Sequence, residues 1–128
     1  MVWHKYYSKI KGQRIDSTNS FHIAIGSPVD TNLPKNTFDV IFSNATMHVI
    51  DQPDSILRDL HTSLKDDGHL FIRDEFVYNN KSKKCDSREC GHYLLQYDFF
   101  IALLQRNGFV LRGQNHELGY PIYKFSKL

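Results

Sequence analysis

Little in the composition of this 128-residue chain singles out a function, and each absence excludes something. No apolar run approaches the roughly 20 residues that a membrane-spanning helix needs, and the opening MVWHKYYSKIKG lacks the apolar core of a secretory signal. A soluble, cytoplasmic protein is expected. Sixteen Lys and Arg against fourteen Asp and Glu leave a formal charge of only +2, so no field of one sign steers the molecule toward nucleic acid or an anionic membrane. Cysteine is limited to Cys85 and Cys90, too close together to staple a fold of this size. There is no internal repeat and no low-complexity tract. What the chain does have is a hydrophobic share of 41%, enough for the core of one domain spanning residues 1–128.

The pattern along the chain alternates strand and helix signals. Trp3, Tyr6, Tyr7 and Ile10 recur at helical spacing before Gly12, and the stripe reads as packing rather than a binding platform. Phe21-His22-Ile23-Ala24-Ile25 alternates like a strand and stops at Gly26-Ser27-Pro28. Asp39-Val40-Ile41-Phe42 follows the turn-prone Pro34-Lys35-Asn36 and predicts a strand buried on both faces. Pro53 suits a first helical turn; Ile56, Leu57, Leu60 and Leu64 share one face, and Asp66-Asp67-Gly68 predicts the stop. Leu70-Phe71-Ile72 is the next strand. Residues 79–89, NNKSKKCDSRE, read as a polar loop. Leu94, Tyr97, Ile101 and Leu104 then trace a helix that Asn107-Gly108 can cap. Phe109-Val110-Leu111 and Tyr120-Pro121-Ile122-Tyr123-Lys124-Phe125 have no helix between them and predict an antiparallel pair. The expectation is an α/β sandwich on a mostly parallel sheet with a C-terminal antiparallel hairpin.

Chemistry concentrates where the strand at residues 39–42 stops, in Ser43, Asn44, Thr46 and His48. In open parallel sheets, ligands sit beyond the carboxyl ends of the strands, and Arg73-Asp74-Glu75 lies at a second such end. The alternative is that these side chains satisfy local loop backbone and that His48 is a packed structural residue.

These segments carry a resemblance. Gly26 through Pro34, Phe38-Asp39-Val40-Ile41, Ser43, His48, Leu64-Lys65-Asp66-Asp67-Gly68-His69-Leu70, Asp74 and Gly108-Phe109 stand in the order of a family pattern. That pattern is "G-D-A-x-x-L-P-x-x-x-x-F-D-V-V-x-S-x-x-x-H", then a helix, "L-K-P-G-G-x-L-x-I-x-D", a second helix ending in "G-F", and a closing antiparallel pair. From about residue 21 to its end the chain resembles the carboxy-terminal part of a class I S-adenosylmethionine-dependent methyltransferase, most like the small-molecule enzymes of the UbiE or type 11 group. The resemblance implies an incomplete Rossmann-like methyltransferase sheet and S-adenosylmethionine as cofactor. It implies cofactor contacts from Gly26, Ser27, Asp30, Ser43, Asn44 and Ala45, a proton acceptor in His48, and an orienting carboxylate in Asp74 or Glu75 facing a small-molecule acceptor.

The sequence also departs from that family. It has no "G-x-G-x-G" loop and no acidic residue ending a second strand; the resemblance implies a chain that begins within the helix before the family's third strand. Ser27 stands where the family has an acid, and Pro28 where a backbone N–H meets the adenine ring, a contact proline cannot make. In the family's strand order, 3-2-1-4-5-7-6, the missing strands would leave residues 39–42 with an open edge. A homo-oligomer or a complementing chain is expected to mend it. The rival expectation is a catalytically inactive scaffold or binding module of the same fold. For Cys85-Asp86-Ser87-Arg88-Glu89-Cys90-Gly91-His92 three readings stand: a zinc site completed by the distant His116 or an acid, a disulfide or redox pair, and a lid over the substrate pocket. The lid is preferred and no metal is assigned.

Overall fold

A computed structural model describes residues 20–85, 90–117 and 119–128. The helix expected near residues 2–11 lies outside them. Strand β1 (Phe38–Asn44) leads through a short 3-10 turn (Met47–Val49) to helix α1 (Pro53–Ser63) and strand β2 (Leu64–Arg73). Two short strands, β3 (Phe76–Val77) and β4 (Leu95–Gln96), flank the polar loop. Helix α2 (Tyr97–Arg106) and strands β5 (Phe109–Asn115) and β6 (Ile122–Lys127) complete the order.

The main sheet runs β1-β2-β6-β5. β1 and β2 are parallel neighbours, with Ile41 opposite Leu70 and Asn44 opposite Arg73. β6 is antiparallel to both β2 and β5. The α/β class, the incomplete Rossmann-like sheet and the terminal antiparallel hairpin therefore stand. The share of parallel pairing does not: one of three pairings in this sheet is parallel, because β1 and β2 are the only described strands from the parallel half. A separate parallel pair, β3 with β4, was too short to leave a periodic signal in the sequence.

Alternation along β2 and β6 turns Leu70, Ile72, Tyr123 and Phe125 toward one face, where they join Leu57 and Leu60 of α1 and Phe100, Leu103 and Leu104 of α2. Phe100 stacks on Phe76 at 4.2 Å between ring centroids and meets Tyr123 and Phe125 edge-on. Aromatic pairs in these geometries add to the burial of their area. Burial drives the Tyr123 phenol well above its ordinary pKa, and its hydroxyl meets that of Tyr78 at 3.4 Å.

Several boundaries differ from the sequence reading. Residues 21–25 form no strand: alternation supplies strand propensity, but a strand exists only beside a partner, and no described segment pairs with them. β1 is not buried on both faces; Val40 and Phe42 are 58% and 57% exposed, since β1 is the edge of the described sheet and no described helix covers their face. Helix α1 stops at Ser63 rather than at Asp66-Asp67-Gly68, which lie in an irregular stretch of β2 where its register with β1 shifts. Gly68 is required there, because a Cβ would fall 2.9 Å from the Phe38 carbonyl oxygen. Helix α2 starts at Tyr97, three residues after Leu94. Its expected cap is present: Gly108 adopts φ +86°, and a Cβ there would also lie 2.8 Å from His61 Nε2.

The two helices are tied by Asp54 of α1, which accepts hydrogen bonds from Arg106 at 2.8 and 2.7 Å and from the Asn107 side chain at 2.7 Å. The Arg106 bond, followed by that of Asn107, holds the Asp54 carboxyl down at about 2, below its ordinary 3.8. A carboxyl depressed on folding contributes stability that is complete above its unfolded pKa and is lost as pH falls through the folded one. Between about pH 4 and pH 2 the wild type is therefore expected to lose more thermal stability than Asp54→Asn; parallel losses across that window would show that the tie contributes nothing.

Candidate active site at the carboxyl ends of the parallel strands

The parallel register of β1 and β2 brings their carboxyl ends level, so the residues that follow each strand emerge side by side. The Ala45 N–H donates to the Arg73 carbonyl at 2.7 Å, and the Arg73 guanidinium donates to Asn44 Oδ1 at 3.0 Å. Ala45 sits at φ +53°, a left-handed conformation costing a non-glycine residue roughly 1–2 kcal/mol. This turn ends β1 and starts the 3-10 turn that carries His48.

His48 and Asp74 meet across this junction. His48 Nδ1 lies 3.1 Å from both carboxylate oxygens of Asp74, and the two side chains are only 8% and 3% exposed. Asp74 also accepts the Glu75 N–H at 2.8 Å and, more distantly, the His48 N–H at 3.4 Å. A carboxylate only accepts, so the ring nitrogen facing it is the donor, and in the neutral ring Nε2 carries the lone pair. A buried imidazole with its tautomer fixed by a carboxylate is the arrangement that general bases and metal-bound histidines share.

The pair borders a pocket of about 290 Å³. Ala45 and Val49 contribute from beyond β1, Glu75 from beyond β2, and Cys85, Cys90, Leu94 and Tyr120 from the loops. Of the expected site residues, the structure brings Ala45, His48 and Asp74 together here. Ser43 and Asn44 lie on β1 just before the pocket. Gly26, Ser27 and Asp30 do not line it. Glu75 is paired with Lys83. A second pocket, about 260 Å³ around Tyr78, Asn79, Gln96 and Tyr97, has no histidine or cysteine in its wall.

Gly26, Ser27 and Asp30 build a closed turn. The Ser27 N–H donates to the Asp30 carbonyl at 2.7 Å and the Asp30 N–H returns to Ser27 at 3.4 Å, with Pro28 between them in a favoured turn position. The Val29 N–H donates to Ser27 Oγ, and the Asn32 N–H to Asp30 Oδ1 at 2.6 Å. A Cβ at Gly26 would collide with the Asp30 carbonyl. The Thr31 N–H donates to Asp59 of α1 at 2.9 Å, and the Thr31 hydroxyl and Lys35 also donate to that carboxylate. Burial opposes the Asp59 charge, but the bonds from Lys35 and Thr31 outweigh it and lower its pKa.

Of the three readings of the cysteine loop, the disulfide is present, and its nearness to His48 is what sequence reasoning missed. Cys85 and Cys90 form a disulfide, and a ring nitrogen of His48 lies within 4.8 Å of both sulfurs. Neither His92 nor His116 belongs to this cluster; His116 bonds Gln114 instead. Cys85 and Cys90 line the pocket that holds the dyad, and residues 86–89 lie outside the described ones. Only the tertiary fold brings His48 to the cysteines.

A family model described as a methyltransferase domain matches residues 5–72, more than half of the chain. The chain belongs to the methyltransferase domain family. No curated protein matches it. Among solved structures, a putative S-adenosylmethionine-dependent methyltransferase from Listeria monocytogenes superposes with TM-score 0.66 at 12% identity, covering 97% of this chain and 76% of that one. An S-adenosylmethionine-dependent methyltransferase from Mesorhizobium loti gives 0.62 at 13%, covering 80% and 67%. The Burkholderia thailandensis 1,6-didemethyltoxoflavin-N1-methyltransferase, solved with its substrate and S-adenosylhomocysteine, gives 0.58 at 17%, covering 73% of this chain and 45% of that enzyme. The fold is thus that of the class I methyltransferase superfamily.

The cofactor that the family implies finds only part of its binding surface in the described residues. The turn at residues 27–32 does not fit an adenine: its backbone N–H groups at Ser27, Val29, Asp30, Thr31 and Asn32 all donate within the protein, and Pro28 has none.

The dyad makes a direct prediction. Asp74 is 2% exposed, and Asp74→Ala leaves buried donors without an acceptor, a loss of about 1–3 kcal/mol in urea unfolding. Glu75→Gln is expected to stay within about 0.5 kcal/mol. Equal effects would show that the His48–Asp74 contact is incidental.

Proposed function

We propose that this chain is the acceptor-binding portion of an S-adenosylmethionine-dependent methyltransferase acting on a small molecule in the cytoplasm. The observation that carries this reading is the buried His48–Asp74 pair at the mouth of a pocket beyond the parallel strand ends. S-adenosylmethionine, when bound, supplies an electrophilic methyl group, and what is asked of the protein is to position the reactants, exclude water and accept a proton. His48 Nε2 takes the proton of the acceptor's hydroxyl or amine, while Asp74 holds the ring through Nδ1 and stabilises the imidazolium that forms. Val49, Leu94 and Tyr120 give the pocket an apolar wall on which an uncharged ring system can rest. Ser43, Asn44 and Ala45 border the place between donor and acceptor.

The uncovered sheet edge belongs to the same reading. β1 ends the described sheet with Val40 and Phe42 exposed, and an unpaired edge with an apolar face invites another strand. A second copy of the chain could pair with this edge, and a complementing chain could both pair with it and add the glycine-rich cofactor loop that this sequence lacks. Light scattering on the purified chain is expected to give at least twice the mass of one copy, or to do so once a complementing chain is added. A monodisperse single copy that takes up no partner would remove this part of the proposal.

A second reading, an inactive scaffold of the same fold, is favoured by the self-satisfied turn at residues 27–32. Calorimetry with S-adenosylhomocysteine separates the two. The enzyme reading expects little or no heat from the chain alone and binding once a complementing chain completes the sheet. Absence of heat in the completed assembly leaves the scaffold.

A further inference from the structure

The disulfide beside His48 has no part in the acceptor chemistry, yet it is placed with unusual economy of ligands. His48, Cys85 and Cys90 each offer one ligand atom, all within 4.8 Å of one another and all partly buried. The two limbs of the loop are held by more than the disulfide. The Cys85 N–H donates to the His92 carbonyl at 3.0 Å, the Leu94 N–H donates to the Lys83 carbonyl at 2.8 Å, and Lys84 and Tyr93 form an antiparallel bridge. These backbone bonds would hold the two limbs of the loop, residues 83–85 and 92–94, together after the S–S bond is broken. In a tetrahedral zinc site, with Zn–S near 2.3 Å and Zn–N near 2.0–2.1 Å, ligand atoms stand about 3.3–3.8 Å apart. The cluster already lies within reach of that spacing.

We propose that the reduced chain binds one zinc ion through Cys85, Cys90 and His48, and that disulfide formation expels it. Two sulfurs and one imidazole form a soft donor set that suits zinc over magnesium or calcium. The second shell is in place: Asp74 engages His48 Nδ1, which leaves Nε2 for the metal in a carboxylate–histidine–zinc arrangement. All three side chains line the pocket, from which water could supply a fourth ligand.

The redox step balances with a dithiol reductant. It gives two electrons and two protons to the Cys85–Cys90 bond, two thiols form, and the reductant becomes a disulfide. Zinc then displaces the two thiol protons to solvent and keeps its oxidation state. A disulfide oxidant reverses the sequence and releases the ion. In a reducing compartment the thiol form prevails. If His48 is also the proton acceptor proposed above, zinc and the methyl acceptor compete for the same lone pair, so that one clause rests on the methyltransferase reading and the metal site does not.

The test uses the full chain without cofactor. After reduction, titration with Zn²⁺ is expected to saturate at one ion per chain, and Co²⁺ is expected to give thiolate-to-cobalt charge-transfer absorption. The disulfide form should show neither, a comparison that needs no substitution. Cys85→Ser and Cys90→Ser should each weaken zinc at least about 100-fold, and His48→Ala and Asp74→Asn by about 10–100-fold. The proposal is overturned if the reduced and disulfide forms bind zinc alike, or if His48→Ala, folded by circular dichroism, keeps wild-type affinity. Failure of methyl transfer would leave these readouts untouched.

Discussion

The parallel ladder between β1 and β2 is the constraint from which the rest of the site follows. It sets Asn44 opposite Arg73, so the two chains leave the sheet at one level and the next residues of each are forced into contact. The left-handed Ala45 turns the first chain back, and its N–H closes on the Arg73 carbonyl. That turn brings His48 over Asp74. Neither side chain could be buried so deeply alone: the imidazole needs an acceptor for Nδ1 and the carboxylate needs donors, and each supplies part of the other's requirement. Helices α1 and α2 anchor the ladder from one face through a shared apolar core, and β6 fixes the other edge of β2. The chemistry stands on a rigid sheet and not on loop geometry alone.

The turn at residues 26–32 has a different character, and the contrast explains why one fold supports two functional readings. The backbone N–H groups of Ser27, Val29, Asp30, Thr31 and Asn32 find acceptors within the turn or on Asp59, which fastens the segment to α1. Those five donors are not turned toward a nucleoside. Beyond β2 the pocket keeps an imidazole lone pair and apolar walls. The pocket beyond the strand ends and the turn at residues 26–32 thus differ in what they leave open to a ligand, and β1 is the edge strand of the described sheet.

Much of this architecture was legible in the sequence. The helical spacing from Pro53 to Leu64 pointed to α1 by its period, and the apolar runs at residues 39–42 and Leu70-Phe71-Ile72 pointed to β1 and β2 by their continuity between turn-prone residues. His48 and Asp74 stood out because polar residues at the ends of apolar strands point to a ligand surface. Residues 21–25 misled because alternation reports propensity while pairing is tertiary. The β3–β4 pair was too short to show a period. The meeting of His48 with Cys85 and Cys90 was illegible in principle: it joins segments that share no spacing rule, and it exists only because the loop after β2 folds back over the strand ends.

The most direct test of the account is the protonation pattern of His48, read by nitrogen NMR on the imidazole-labelled chain at a pH where the ring is neutral. The geometry predicts a proton on Nδ1 and a bare Nε2 in the wild type, with that preference lost when Asp74 is replaced by alanine. A proton resident on Nε2, or a spectrum indifferent to the loss of Asp74, would contradict the claim that the strand ends assemble a poised base.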